Sequence, residues 1–283
     1  MVLLRPSRRA RLPVLTAAAV AAALLASRPA RATDPFEIQV YDGTSNAPGV
    51  PGLELHANYI ASGGTPPPAP EINQVGQTHL TLEPSLGVLP FWEIGGYFQT
   101  ALRKDGTFDY GGVKVRSKFV TPPGWHSHVR LGMNLEMSLL PPAYDHSRLG
   151  AELRPIAAWE NESWMFVINP ILDLELTAWP TGPTFEPAAS AVYKVREIIS
   201  AGLEYYGNLG PIGSGFVPLA QQEQYVFEVV NLLGIDRVEV NAGVGEGLTP
   251  ASHGLVVKMI LGYSWEHAKG AQQASSRIGP RFW

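Results

Sequence analysis

The 283-residue sequence has no cysteine, and only 16% of its residues are charged. Beyond its first 32 positions it has no uninterrupted apolar stretch long enough to cross a bilayer as a helix. The missing cysteine excludes disulfides, thiolate metal sites and cysteine nucleophiles. Without a spanning helix, membrane insertion is possible only as a closed barrel, because every backbone polar group must find a partner inside the chain. Nor is there a surplus of positive charge for nucleic acid: the formal net charge is −4.

Residues 1–32 carry what the remainder lacks. Arg5, Arg8, Arg9 and Arg11 precede an apolar run from Leu15 to Ala26, and Ala30-Arg31-Ala32 follows. That order is expected of a secretory signal peptide cleaved after Ala32, and the run is well short of the roughly 20 residues that span a bilayer. Cleavage would remove six of the 21 basic residues, leaving 15 against 25 acidic ones and a net charge of −10.

From Gly52 onward, apolar residues occupy alternate positions over stretches of about ten residues, the period of a strand with two unlike faces. In 129–139, for example, Val129, Leu131, Met133, Leu135, Met137 and Leu139 oppose Arg130, Gly132, Asn134, Glu136 and Ser138. The pattern gives twelve strands, at 52–60, 76–86, 91–103, 108–120, 126–139, 150–160, 163–176, 184–195, 197–207, 223–234, 236–246 and 254–265. A soluble sandwich would also alternate. Three features favour lipid outside. No charge is expected mid-strand on an apolar face, the exceptions Asp109, Glu197, Glu223, Asp236 and Glu246 lying at strand ends. Aromatic residues, Tyr225 among them, gather near strand ends as interfacial girdles would. Long and short connections alternate, with 61–75 and 208–222 long, 121–125 and 161–162 short, and 104–107 an exception.

The expected fold is therefore all-β: an antiparallel up-and-down transmembrane β-barrel of about twelve strands over 52–265. Residues 33–51 form an N-terminal periplasmic or inward-folded segment, and 266–283 a C-terminal tail. Phe36 to Asp42 alternates as a strand does, but its pairing with the barrel would make the strand count thirteen and reverse the loop rule. Pro84, Pro155, Pro170 and Pro187 fall inside strands, where each removes a ladder donor; bulges would accommodate them.

The polar faces supply the candidate site, a set of lumen-lining side chains. These are Glu83 and Glu93; Lys114, Arg116, Lys118 and Arg130 as a basic arc; Glu136, Glu152 and Arg154; Asp173, Glu175, Glu186 and Lys194; and Glu204, Glu228 and Glu239. The arc is expected to pair with Glu83 and Glu93 on one side and with Asp173, Glu175 and Glu186 on the other. The same face includes Glu54, His56, His79, Arg237 and Lys258.

Enzymatic signatures are weak. Gly243-Val244-Gly245-Glu246-Gly247 ends a strand with no helix to bind phosphate. His126 and His128 share a strand face, but no carboxylate follows at ligand spacing. Ser252 and His253 are neighbours without a triad pattern. The expectation is a non-enzymatic channel passing small solutes through a narrow charged lumen, with no cofactor and no metal. The other reading is a closed structural or surface-interaction barrel acting through its long extracellular loops. Expected partners are outer-membrane lipid, the barrel-insertion machinery and a small-molecule solute, with no nucleic acid.

The chain resembles bacterial outer-membrane barrels through residues 1–32 and the alternating run 52–265. Its terminal Phe282-Trp283 resembles the aromatic ending read by the insertion machinery, although the last alternating segment ends at Trp265. DPFEIQVYDG, THLTLEPSLG, VRSKFVTPPGWH and LEYYGNLGPI resemble stretches of uncharacterised proteobacterial outer-membrane proteins. These are distantly similar to transporters of the phenol meta-degradation pathway. The resemblance implies an outer-membrane location and a channel for small molecules, and supplies no binding residues.

Overall fold

The computed structural model describes residues 34–64, 66–177, 182–213, 215–235 and 237–265, of which 233–235 by their backbone alone. Residues 1–32, expected to be a signal peptide, the tail 266–283, Trp179 and Asp236 lie outside the described residues. Twelve antiparallel strands close into one barrel in sequential order, β12 pairing back onto β1. They are β1 Pro51–Gly63, β2 Thr78–Leu89, β3 Trp92–Leu102, β4 Phe108–Val120, β5 Val129–Leu139 and β6 Leu149–Glu160. The circuit continues with β7 Trp164–Glu175, β8 Thr184–Arg196, β9 Ile199–Asn208, β10 Glu223–Ile235, β11 Val238–Gly247 and β12 His253–Ser264. Closure leaves no unpaired edge, which is the condition for an all-β chain to span lipid.

The outer face is apolar: Leu135, Met137, Phe166, Ile168, Leu203 and Val244 are exposed there, while alternate residues point inward. Stacked or edge-on aromatic pairs ring the short-turn rim, Trp92 on Phe119, Trp164 on Tyr193 and Tyr263 on Trp265. The connection 121–128 is the one long link at that rim among the described residues, because β5 begins only at Val129.

The prolines are accommodated without bulges. Register is unchanged through Pro84, Pro155, Pro170 and Pro187, and the shifts that do occur lie elsewhere. Pairing between β6 and β7 lapses only from Arg154 to Ile156 and from Asn169 to Ile171, which sets Pro155 opposite Pro170. Two residues without an N–H thus face each other, so their lost bonds fall at one place in the ladder.

Two parity expectations are overturned. On β10, Tyr225, Phe227 and Val229 are buried inward, whereas Glu228 is exposed on the outer face and pairs with Leu203 and Val244. Glu228 therefore does not line the lumen, and Tyr225 belongs to no girdle. Both faces of β10 are rich in apolar residues, so alternation alone could not choose between them; packing inside the barrel does. On β4, a register shift at Gly111–Gly112 turns Asp109 inward, where it binds Arg103 and Tyr144.

Candidate functional site: the occupied lumen

Residues 34–50 run through the barrel interior. Asp34 to Phe36 border the cavity at the long-connection rim, Asp42 to Asn46 border a smaller one of about 70 Å³ at the opposite rim, and the chain then turns into β1. Positions 35 to 43 are all buried, yet none joins a strand ladder. Their alternation is real, but it is used to face two unlike walls.

One face is apolar. Ile38 and Val40 belong to the same buried cluster as Ile60, Met165, Val167, Phe227, Val229 and Val256. Phe36 packs edge-on against His79 and Tyr144, and its ring lies where a side chain on Gly111 would stand, 2.5 Å from a Cβ there. This packing sets the parity of β10: Phe227 and Val229 point inward because Ile38 and Val40 fill the lumen there.

The other face is polar. Glu37 takes Arg154 at 3.2 Å and Lys114 at 3.1 Å, and Tyr41 lies 4.4 Å beneath the Arg154 guanidinium, with Lys118 5.4 Å from its ring. The Tyr41 hydroxyl also donates to the Glu37 carboxylate at 3.1 Å and meets the Tyr97 hydroxyl. Buried charges of this kind persist only when paired and hydrogen-bonded.

Wall side chains replace the ladder for the backbone. Carbonyl oxygens of Pro35, Phe36, Ile38, Gln39, Tyr41 and Asp42 accept bonds from Asn58, Thr81, Lys258, Arg154, Asn169 and Arg130, at 2.9 to 3.3 Å. Asn169 holds Tyr41 from both sides, its Oδ1 accepting the Tyr41 N–H at 2.8 Å. Buried backbone groups must be paired, and at about 1 kcal/mol apiece these six clamps retain the segment appreciably.

The expected lumen residues fall into three groups. The basic arc is assembled: Arg116 bridges Glu83 at 2.7 Å and Glu93 at 2.8 Å, Lys118 reaches Glu93 at 2.9 Å, and Lys114 faces Glu136 at 3.7 Å. Its remaining partners differ from those expected. Asp34 and Glu37 bind Lys114, and Asp42 with Glu160 binds Arg130, so the inserted segment supplies acids assigned in sequence to Asp173, Glu175 and Glu186. Glu152 with Arg154, at 2.6 Å, sits beside Glu37, and Glu204 pairs with buried Lys258 across the barrel from the arc.

Asp173, Glu175 and Glu186 instead border the large cavity, of about 680 Å³, at the long-connection rim. Glu71, Asp145, Glu152 and Glu223 border it too, together with Pro66, Pro67, Pro68, Leu140 and Tyr144. It is apolar walled and strongly acidic. Burial and the neighbouring Asp109 carboxylate raise the Tyr144 phenol above its usual pKa, so it stays a neutral donor there. Glu239 borders the small cavity at the short-turn rim, and Lys194 lies on the inward face near the end of β8.

Glu37, Tyr41, Asp42 and Asn169 were absent from the sequence-derived set. Alternation marked 36–42 as two-faced, and the acids there were a usable signal. Which wall they face requires the closed barrel.

No family model matches the sequence, and no curated protein matches it. Its structural relatives are barrels. The KdgM porin superposes with a TM-score of 0.54 at 7% identity, over 76% of this chain and 99% of its own. The NanC porin gives 0.51 at 8% identity, over 76% and 100%. The COG4313 outer membrane channel from Pseudomonas putida F1 gives 0.56 at 8% identity, over 81% of this chain and 100% of its own. At these identities the likeness establishes the fold: the chain has the closed barrel architecture of outer-membrane porins and channels.

Proposed function

We propose that this protein is a bacterial outer-membrane channel for small solutes, not an enzyme, and that residues 34–50 hold its narrow charged lumen closed. The observation that carries the reading is an inside-out barrel. Charged and polar side chains line much of its interior beside one apolar cluster, apolar ones cover its outside, and a cavity of about 680 Å³ lies at the rim with the longer connections. A volume of that order suits a small organic molecule. The porin-like fold of the structural relatives supports transport. In this orientation the long connections face the outside and the short turns the periplasm.

Acids around the cavity favour neutral or cationic solutes over anions, since partly enclosed charges of one sign raise the local concentration of the other. Proteoliposome swelling with neutral, cationic and anionic solutes of matched size tests this. Faster swelling with the neutral and cationic ones is expected. No swelling with any of them, for the wild type and for a variant lacking 36–46, would favour a structural barrel acting through its loops.

A further inference from the structure

A second chemistry is built into the contact between the inserted segment and the wall. Glu54 and His56 on β1 and Glu83 on β2 converge inside the barrel, with one donor atom from each lying within 4.8 Å of the others. His56 Nε2 stands 3.0 Å from Glu83 Oε2 and 3.5 Å from Glu54 Oε2. A tetrahedral ion with ligand bonds of about 2.0–2.1 Å separates its donor atoms by about 3.3 Å, so these spacings already approximate two edges of such a tetrahedron.

A fourth donor comes from the inserted segment. Gln39 is more than nine-tenths buried, and its amide reaches Glu54 Oε2 at 3.1 Å through Nε2. Its Oε1 has no donor among the described residues. Amide oxygen and nitrogen exchange places by a half-turn, which would aim Oε1 at the cluster. The arrangement also balances charge. Arg116 binds Glu83 through the other carboxylate oxygen, Oε1 at 2.7 Å, leaving Oε2 to the cluster. Two carboxylates, one neutral imidazole and one amide oxygen then match a doubly charged ion of the zinc type.

We propose that Gln39, Glu54, His56 and Glu83 form a site for a divalent transition-metal ion that fastens the inserted segment to the barrel wall. Three ligands belong to the wall and one to the segment, so metal binding and retention of the segment are linked: whatever binds the seated state more tightly raises its population.

Zinc chloride titrated into the refolded protein by calorimetry is the direct test, in a background of His126→Gln and His128→Gln that removes two adjacent imidazoles at the short-turn rim. One saturable site is expected. Its affinity should fall about tenfold or more in His56→Gln and in Gln39→Ala, and rise in Gln39→Glu, which adds a carboxylate ligand. A purely structural role for Gln39 predicts the opposite for Gln39→Glu, because a third acid would be repelled by Glu54 and Glu83. Gln39 lies outside the strands, so its variants leave the barrel ladder intact. Because the chain has no cysteine, Val40→Cys gives a second readout. Zinc should slow maleimide modification of that buried position, and should not do so when His56→Gln is also present. Equal zinc affinity in all of these proteins, or a labelling rate indifferent to zinc, would overturn the proposal.

Discussion

Removing one clamp measures how firmly the lumen is closed. Asn169 is fully buried on β7 and holds Tyr41 through two backbone hydrogen bonds, at 2.8 and 2.9 Å. Asn169→Ala deletes both while leaving the β7 backbone in its ladder. Each lost bond costs about 1 kcal/mol, and leaving the buried Tyr41 N–H and C=O without partners adds to that, for a total of about 2–3 kcal/mol. At 1.4 kcal/mol per tenfold, the fraction of barrels with the segment withdrawn should rise about thirty- to hundredfold. Val40→Cys reports that fraction, since Val40 is buried against the wall and reacts with a maleimide only when the segment leaves. The barrel itself should retain its heat-modifiable gel migration. Equal labelling rates with and without Asn169→Ala would refute the reasoning that wall side chains hold the segment.

Other consequences follow from the two faces of the wall. Leu135→Arg places a charge on the exposed apolar face of β5 and should cost about 2–4 kcal/mol in folding into lipid vesicles, measured by urea titration. Glu228→Leu should act in the other direction, stabilising the barrel in the same assay by about 1 kcal/mol, because Glu228 faces outward in mid-strand. Arg116→Ala combined with Lys118→Ala leaves Glu83 and Glu93 short of partners, so it should lower stability by about 3 kcal/mol or more and shift reversal potentials toward cation preference. Protease added to intact cells should cut within 209–222 or 66–77 and spare 161–163; cleavage confined to the short turn would reverse the proposed orientation.

Most of the barrel was legible because its two solvents impose one pattern. Lipid outside and polar interior make β5, β7 and β12 alternate cleanly, and their observed limits depart from the alternation by no more than a few residues. Legibility failed where the interior stops being polar. On β10 the mid-strand inward face is Tyr225, Phe227 and Val229, which makes it as apolar as the lipid face, and the mid-strand carboxylate of Glu228 then pointed to the wrong side. Asp109 was misplaced for a different reason, a register shift at paired glycines that alternation cannot register. The partners of the basic arc were legible in part. Glu83 and Glu93 lie on neighbouring strands, while Glu37 and Asp42 reach Lys114 and Arg130 only because a segment outside the ladder folds back through the lumen. Gln39, Glu54, His56 and Glu83 carry no recognisable ligand spacing, since that grouping arises from strand pairing and the inserted segment together.

The central claim is that a solute path exists and that residues 34–50 close it. Planar-bilayer recording of the refolded protein beside a variant lacking 36–46 tests this most directly. The account predicts rare, small openings for the intact chain and a stable, larger conductance of uniform step size for the shortened one. Failure of the shortened barrel to conduct, while it remains folded in the membrane, would contradict it.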